Sequence, residues 1–230
     1  MTLHRREFLV AGVAAMVGLA ACGNPPRGYF ADSTVPEGSS PVGEGPTSIT
    51  SVVMVGDSIT EASTDELQGV FSTAGVTDVR IDAERGRRIE VGNGKGSGPL
   101  SGMNTVYQLL AEGLTPDAWV IALGTNDVGS YPNAEAYGAL IDGLLQMLPA
   151  PTPLVWVNVD RPQYEGDTDV FNLVLAERIA ARGNAVVADW FALASDPNAD
   201  LLRSDNLHPN NDGQQAFALI TIDAINKLSA

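Results

Sequence analysis

Few residues in this chain are equipped for covalent chemistry. Histidine occurs at positions 4 and 208 only, and cysteine only at 22. His4 falls in a segment that reads as a leader, which leaves His208 as the one imidazole of the folded part. A serine hydroxyl near neutral pH is a weak nucleophile and needs a base within hydrogen-bond reach. Imidazole is the side chain whose ordinary pKa suits that task. Ser58 is the candidate nucleophile, because Gly56-Asp57-Ser58-Ile59-Thr60 is a polar turn directly after the apolar run Ser51-Val52-Val53-Met54-Val55. An acid on the other ring nitrogen would fix the tautomer and steady the imidazolium. Asp205 and Asp212 are both near His208 in sequence, although Asp212 falls in the first turn of the last helix, where a carboxylate suits the dipole. Another polar turn, Gly124-Thr125-Asn126-Asp127, follows the apolar run at 118–123, which suits an Asn126 side chain aimed at the site. Each feature also has a plainer reading. Gly-Asp-Ser can be a simple helix cap, Asn126 an Asx-turn residue, and Asp57 and Asp127 read better as turn caps than as acids.

These residues need a scaffold, and the apolar pattern supplies one. The runs at 51–55, 118–123, 154–157 and 185–188 are continuously apolar, as expected of strands covered on both faces. Val76 to Ile81 is a weaker strand. Helical stripes lie between and after them: Met103, Val106, Tyr107, Leu110 and Leu114; Tyr137, Leu140, Ile141, Leu144, Leu145 and Leu148; Phe171, Val174, Leu175 and Ile179; Phe217, Ile220, Ala224 and Leu228. Strand–helix alternation with short connections predicts an α/β fold with a parallel sheet and helices on both faces. Ligands bind such sheets beyond the carboxyl ends of the strands, where the polar turns sit. Trp119 and Trp156 lie inside strands and read as core; Trp190, just past the fifth strand, could line the cleft.

Taken together and in this order, Gly56-Asp57-Ser58, a glycine after the second strand, Gly124-Thr125-Asn126-Asp127 and Asp205-Asn206-Leu207-His208 resemble the blocks of the SGNH (GDSL-type) hydrolase family. The resemblance spans essentially all of 49–230. It implies a flavodoxin-like fold with a five-stranded parallel sheet in the order 2-1-3-4-5. It also implies Ser58 as nucleophile, His208 as base and Asp205 as the orienting acid. The oxyanion donors it implies are the Ser58 N–H, a glycine N–H and the Asn126 amide. Gly86, the first glycine after the second strand, is the expected oxyanion glycine. The run from Gly92 to Gly98 lacks a Gly-Lys-Ser/Thr ending and reads as a rim, not a phosphate loop. Asp82-Ala83-Glu84-Arg85-Gly86-Arg87 and Val157-Asn158-Val159-Asp160-Arg161-Pro162, with Asn172 and Ala188-Asp189-Trp190, look like SGNH domains that accompany membrane polysaccharide O-acyltransferases. The Leu-His-Pro-Asn ending departs from that group.

The start of the chain reads as an address. Arg5 and Arg6 precede an uncharged stretch from Phe8 to Ala21, too short to span a bilayer and suited to a signal peptide over 1–21. His4-Arg5-Arg6-Glu7-Phe8-Leu9 resembles a twin-arginine export signal. Leu19-Ala20-Ala21-Cys22 looks like a lipobox, which makes Cys22 the expected lipidation site and residues 22–48 a lipidated cysteine with a linker. Glycine, proline and serine make up 14 of the 26 residues from 23 to 48, a composition unable to offset its ordering entropy by burial. As a flexible coil it would span about 30 Å. The folded domain is expected over 49–230, extracytoplasmic and anchored to the cell membrane by its lipid.

Charge and composition exclude other classes. With Lys+Arg 13 against Asp+Glu 28 the formal charge is -15, which argues against nucleic acid as a partner. One cysteine and two histidines cannot build a Cys/His zinc site, and neither metal nor cofactor is expected. The expected protein is a monomeric serine esterase acting on a small-molecule or glycan ester. An acyltransferase using the same residues, or a non-catalytic glycan-binding lipoprotein, are the alternatives. Arg85, Arg87 and Arg88 form the densest positive spot, and Arg87 and Arg88 are the expected contacts for an anionic substrate group, against a plainer pairing with Glu84 and Glu90.

Overall fold

The computed structural model describes residues 48–95 and 98–228. The expected signal peptide, Cys22 and nearly all of the linker lie outside them. In chain order the elements are β1 (Ser51–Gly56), α1 (Ser58–Ala62), α2 (Thr64–Thr73), β2 (Asp78–Ala83), α3 (Gly102–Ala111), β3 (Ala118–Ala122), α4 (Ala134–Met147), β4 (Leu154–Val157), a 3₁₀ turn (Pro162–Tyr164), α5 (Glu165–Arg182), β5 (Ala185–Ala188), α6 (Trp190–Ala194) and α7 (Asn211–Leu228). The five strands form one parallel sheet in the order β2-β1-β3-β4-β5, as the family resemblance implied.

Alternation along the strands divides the core in two. Val53 and Val55 of β1, Trp119 and Ile121 of β3, and Leu154 and Trp156 of β4 face one layer, with Leu109 of α3, Tyr137, Ile141 and Leu144 of α4, and Phe171 and Leu175 of α5. Val52, Met54, Val120, Val155 and Val157 face the other, with Leu67 and Phe71 of α2 and Phe217, Ile222 and Ile225 of α7. Both faces of the central strands are therefore dry, which is why their sequences are apolar throughout. Trp119 and Trp156 are core residues, as expected. Trp190 is buried too and meets Phe217 edge-on, with ring centroids 5.4 Å apart.

Two expectations need correction. The second strand starts at Asp78, not Val76, because Val76 turns inward before the ladder begins and β2 is an edge strand with one neighbour. Tyr107 is 66% exposed, while Leu109 takes the inward position on α3.

Candidate active site

The site is built by three turns at the carboxyl ends of strands and by the segment before α7. Asp57 leaves β1 in extended geometry and caps α1, its Oδ1 accepting from the Ile59 N–H at 3.0 Å. Ser58 thereby becomes the first helical residue, a position whose N–H has no intrahelical acceptor. The strand can enter the helix this closely because residue 56 is glycine. A Cβ there would lie 2.1 Å from Thr60 Oγ1.

The third turn has the same logic. Gly124 takes φ +129, and a Cβ on it would meet the Phe171 ring at 2.4 Å. The Asp127 and Val128 N–H groups donate back to the Gly124 carbonyl at 2.8 and 3.0 Å, which closes a tight turn around Asn126. Its Nδ2 donates to the Arg87 carbonyl at 3.0 Å and to Asp57 Oδ2 at 3.2 Å. Both amide hydrogens are thus engaged, and an oxyanion would have to share the longer bond with Asp57. Gly86, exposed at φ +73, has open space where a Cβ would be. Glycine serves that turn through its backbone conformation, not through a close approach.

Before α7, Asp205 Oδ1 accepts from the N–H groups of Leu207 and His208 at 3.0 and 2.9 Å. This small turn folds the His208 ring back over its own aspartate. His208 Nδ1 lies 2.8 Å from Asp205 Oδ2, and Nε2 lies 3.0 Å from Ser58 Oγ. With the proton on Nδ1, the ring donates to Asp205 and accepts from the serine hydroxyl. Asp212 stays in the first turn of α7, and the carboxylate paired with the imidazole is that of Asp205.

Two carboxyls of the site titrate abnormally, in opposite directions. Hydrogen bonds from the His208 backbone and ring hold Asp205 down at about 2. Burial pushes Asp57 up to about 6, against hydrogen bonds from the Ile59 N–H and the Thr125 hydroxyl. Asp127, buried behind the turn, is also pushed up to about 6 by desolvation, although it accepts from the Ile89 N–H at 3.0 Å and Arg88 Nε at 3.3 Å. Asp57 caps its turn, as the plainer reading had it, whereas the Asp127 carboxylate reaches across to Ile89 and Arg88 instead of capping its own turn.

The arginine expectation fails for Arg87. Its guanidinium is buried, with Nε on the Leu100 carbonyl at 3.1 Å and Nη1 on the Gly56 and Asp82 carbonyls at 3.1 and 2.6 Å. Nη2 reaches Asp82 Oδ1 at 2.8 Å. It ties β2 to β1 and to the segment before α3 and presents no donor to the cleft. Arg88 is paired with Asp127 and lies over Tyr131, 5.8 Å from the ring centroid. Arg85 pairs at the surface with Glu61. Among the described residues no group of three His, Cys, Asp or Glu is placed to hold a metal ion.

Comparison with known proteins agrees with this architecture. The model of the GDSL-like lipase/acylhydrolase family matches residues 54–216. Among solved structures, a lipase/acylhydrolase from Enterococcus faecalis is similar at TM-score 0.61 and 19% identity, over 77% of this chain and 96% of the other. The C-terminal catalytic domain of Streptococcus pneumoniae peptidoglycan O-acetyltransferase A follows at TM-score 0.58 and 17% identity, over 78% and 92%. A family 3 carbohydrate esterase from Clostridium thermocellum is similar at TM-score 0.51 and 23% identity, over 79% and 99%. No curated protein matches the chain.

Proposed function

The chain belongs to the GDSL-like lipase/acylhydrolase family, and on that premise we propose that it is a serine esterase that removes small acyl groups from cell-envelope glycans. The observation that carries this reading is the unbroken chain Ser58 Oγ, His208 Nε2, His208 Nδ1, Asp205 Oδ2 at 3.0 and 2.8 Å. Ser58 Oγ attacks the ester carbonyl while His208 Nε2 takes its proton, and Asp205 holds the ring and stabilises the imidazolium. The oxyanion of the tetrahedral intermediate is met by the Ser58 and Gly86 N–H groups and by Asn126. His208 then returns the proton to the departing alcohol. Water, deprotonated by the same imidazole, then attacks the acyl carbon, the bond to Ser58 Oγ breaks, the carboxylic acid leaves and His208 returns the proton to Oγ.

Small acyl groups on glycans are favoured by two neighbours of this fold, one named for peptidoglycan O-acetyl transfer and one as a carbohydrate esterase. The first keeps transfer to a glycan hydroxyl open as a second reading, since water and sugar would use the same residues. A binding protein would not need all of Ser58, Asn126, Asp205 and His208. Export and acylation at Cys22 belong to the same proposal and would present the domain to envelope polymers.

The deciding experiment is labelling with a fluorophosphonate. Ser58 should be modified in the wild type, and Ser58→Ala should be inert both to the probe and to p-nitrophenyl acetate. Adding an acceptor glycan to the acyl-enzyme separates transfer from hydrolysis. A Cys22→Ala chain that still takes up a lipid label in cells would overturn the anchor.

A further inference from the structure

The cation that the sequence placed at Arg87 has a different candidate on the backbone next to Asn126. Arg161 follows β4 and immediately precedes the 3₁₀ turn. Its Nη1 donates to the Thr125 carbonyl, the peptide oxygen that joins Thr125 to Asn126. The guanidinium carbon lies 5.0 Å from the centroid of the Tyr164 ring. That ring in turn rests on Gly129, where φ is +81 and a Cβ would come within 2.5 Å of the ring. The arginine is therefore held between a backbone acceptor and an aromatic face, in the arrangement that keeps its planar fork oriented.

Arg161 also has unused capacity close to the site. Its Nε is buried and has no hydrogen-bond partner. Arg182, whose Nε is likewise buried without a partner, spends its other donors on the Leu145, Pro149 and Thr152 carbonyls far from the site, whereas Arg161 stands next to the Thr125–Asn126 peptide. A buried donor without an acceptor costs free energy, and a guanidinium meets a carboxylate with two parallel bonds. The acidity of the chain makes this local charge the more telling, since a domain of such net charge repels anions unless a cation stands at the cleft.

We propose that Arg161 is a substrate-binding residue that receives a carboxylate of the ester, beside the oxyanion pocket. The inference rests on Ser58 acting as the esterase nucleophile. The carboxylate could be carried by the acyl group or by the alcohol, and the same arginine would recognise either.

The test uses two matched pairs of esters. p-Nitrophenyl hemisuccinate against p-nitrophenyl acetate places the carboxylate on the acyl side. 4-Acetoxybenzoate against its methyl ester places it on the alcohol side. Within one pair, the kcat/KM ratio of anionic to neutral ester should fall about 10- to 100-fold in Arg161→Gln. Arg161→Lys should recover part of it. Arg80→Gln, which removes the same charge at a distant strand position, should leave the ratio as in the wild type. The pair that responds identifies which side carries the carboxylate. A ratio unchanged by Arg161→Gln in both pairs overturns the proposal. Loss of turnover on both neutral esters in the wild type would instead refute the esterase reading. If Arg161→Gln does not fold, the wild type still decides. An anionic preference at low salt that shrinks at high salt is expected, and no preference at low salt overturns the proposal.

Discussion

Two aspartates flank the Ser58–His208 pair, and their surroundings are opposite. Asp57 precedes the serine, is buried, and is pushed up to about 6 by desolvation. Asp205 precedes the histidine, has half its side chain exposed, and is held at about 2 by bonds from His208 and Leu207. The comparison shows that the acid kept ionised to orient the ring need not be the buried one. Directed N–H groups outweigh desolvation for Asp205, whereas at Asp57 burial wins over its hydrogen bonds from Ile59, Thr125 and Asn126. Asp57 is thereby suited to shaping the pocket wall through Ile59 and Asn126, and Asp205 to serving the imidazole.

The largest effects should come from the pair that the aspartates flank. Ser58→Ala and His208→Ala should each lower kcat on p-nitrophenyl acetate by about 10⁴-fold or more, and the double variant should be little worse, because the residues act as a unit. Asp205→Asn should cost about 10²- to 10⁴-fold. Since Asp205 ionises near 2, its titration should be absent from the pH–rate profile above pH 4. A wild-type limb above pH 4 that disappears in Asp205→Asn would break the assignment of the low value.

On the Asp57 side the losses should be smaller. Asn126→Ala should reduce kcat about 10²-fold, at the low end for an oxyanion donor because its hydrogens are already engaged by Asp57 and Arg87. KM should change less, as the interaction matures only in the transition state. Asp57→Asn sets one amide against another and should lower kcat roughly tenfold through the tilted Asn126 side chain, the worth of about one hydrogen bond. Steady-state kinetics on one ester compares the two, and an Asp57→Asn loss as large as that of Ser58→Ala would make Asp57 part of the reacting chain.

Much of this arrangement could be read from the residues. Continuous apolar runs mark strands buried on both faces, and the Gly-Asp-Ser, Gly-Thr-Asn-Asp and Asp-x-x-His segments stand where those strands end or the last helix begins. What escaped was set by contacts distant in sequence. Arg87 looks solvated among charged neighbours, yet the segment after β2 brings it against the Gly56 and Leu100 carbonyls, which enclose it. Nothing local distinguishes it from Arg88, which reaches Asp127 across 39 positions. In the sequence Arg161 stands out only within the Val157–Pro162 segment that carries the family likeness. Its place beside Asn126 depends on β4 lying next to β3, and its spare donors depend on which acceptors the fold brings near.

The clearest measure of burial itself lies at Asp127, away from the reacting atoms. Asp127 is fully buried and raised from 3.8 to about 6. A carboxyl whose folded pKa lies above its unfolded value favours the fold most below the unfolded value. That contribution is lost as pH rises through the folded one. Its ionisation should therefore cost up to about 3 kcal/mol by pH 7.5, at 1.36 kcal/mol per unit, tempered by Arg88. Asp205 has the opposite sign, present above 3.8 and lost toward pH 2, and its exposure makes that part small. Asp127→Asn lacks the titration while keeping an acceptor for the Ile89 N–H. The Tm of the wild type minus that of the variant should thus decrease between pH 5 and pH 7.5. Calorimetry at the two pH values checks this, and a constant difference would mean that Asp127 is ionised throughout and that Arg88 fully offsets its burial.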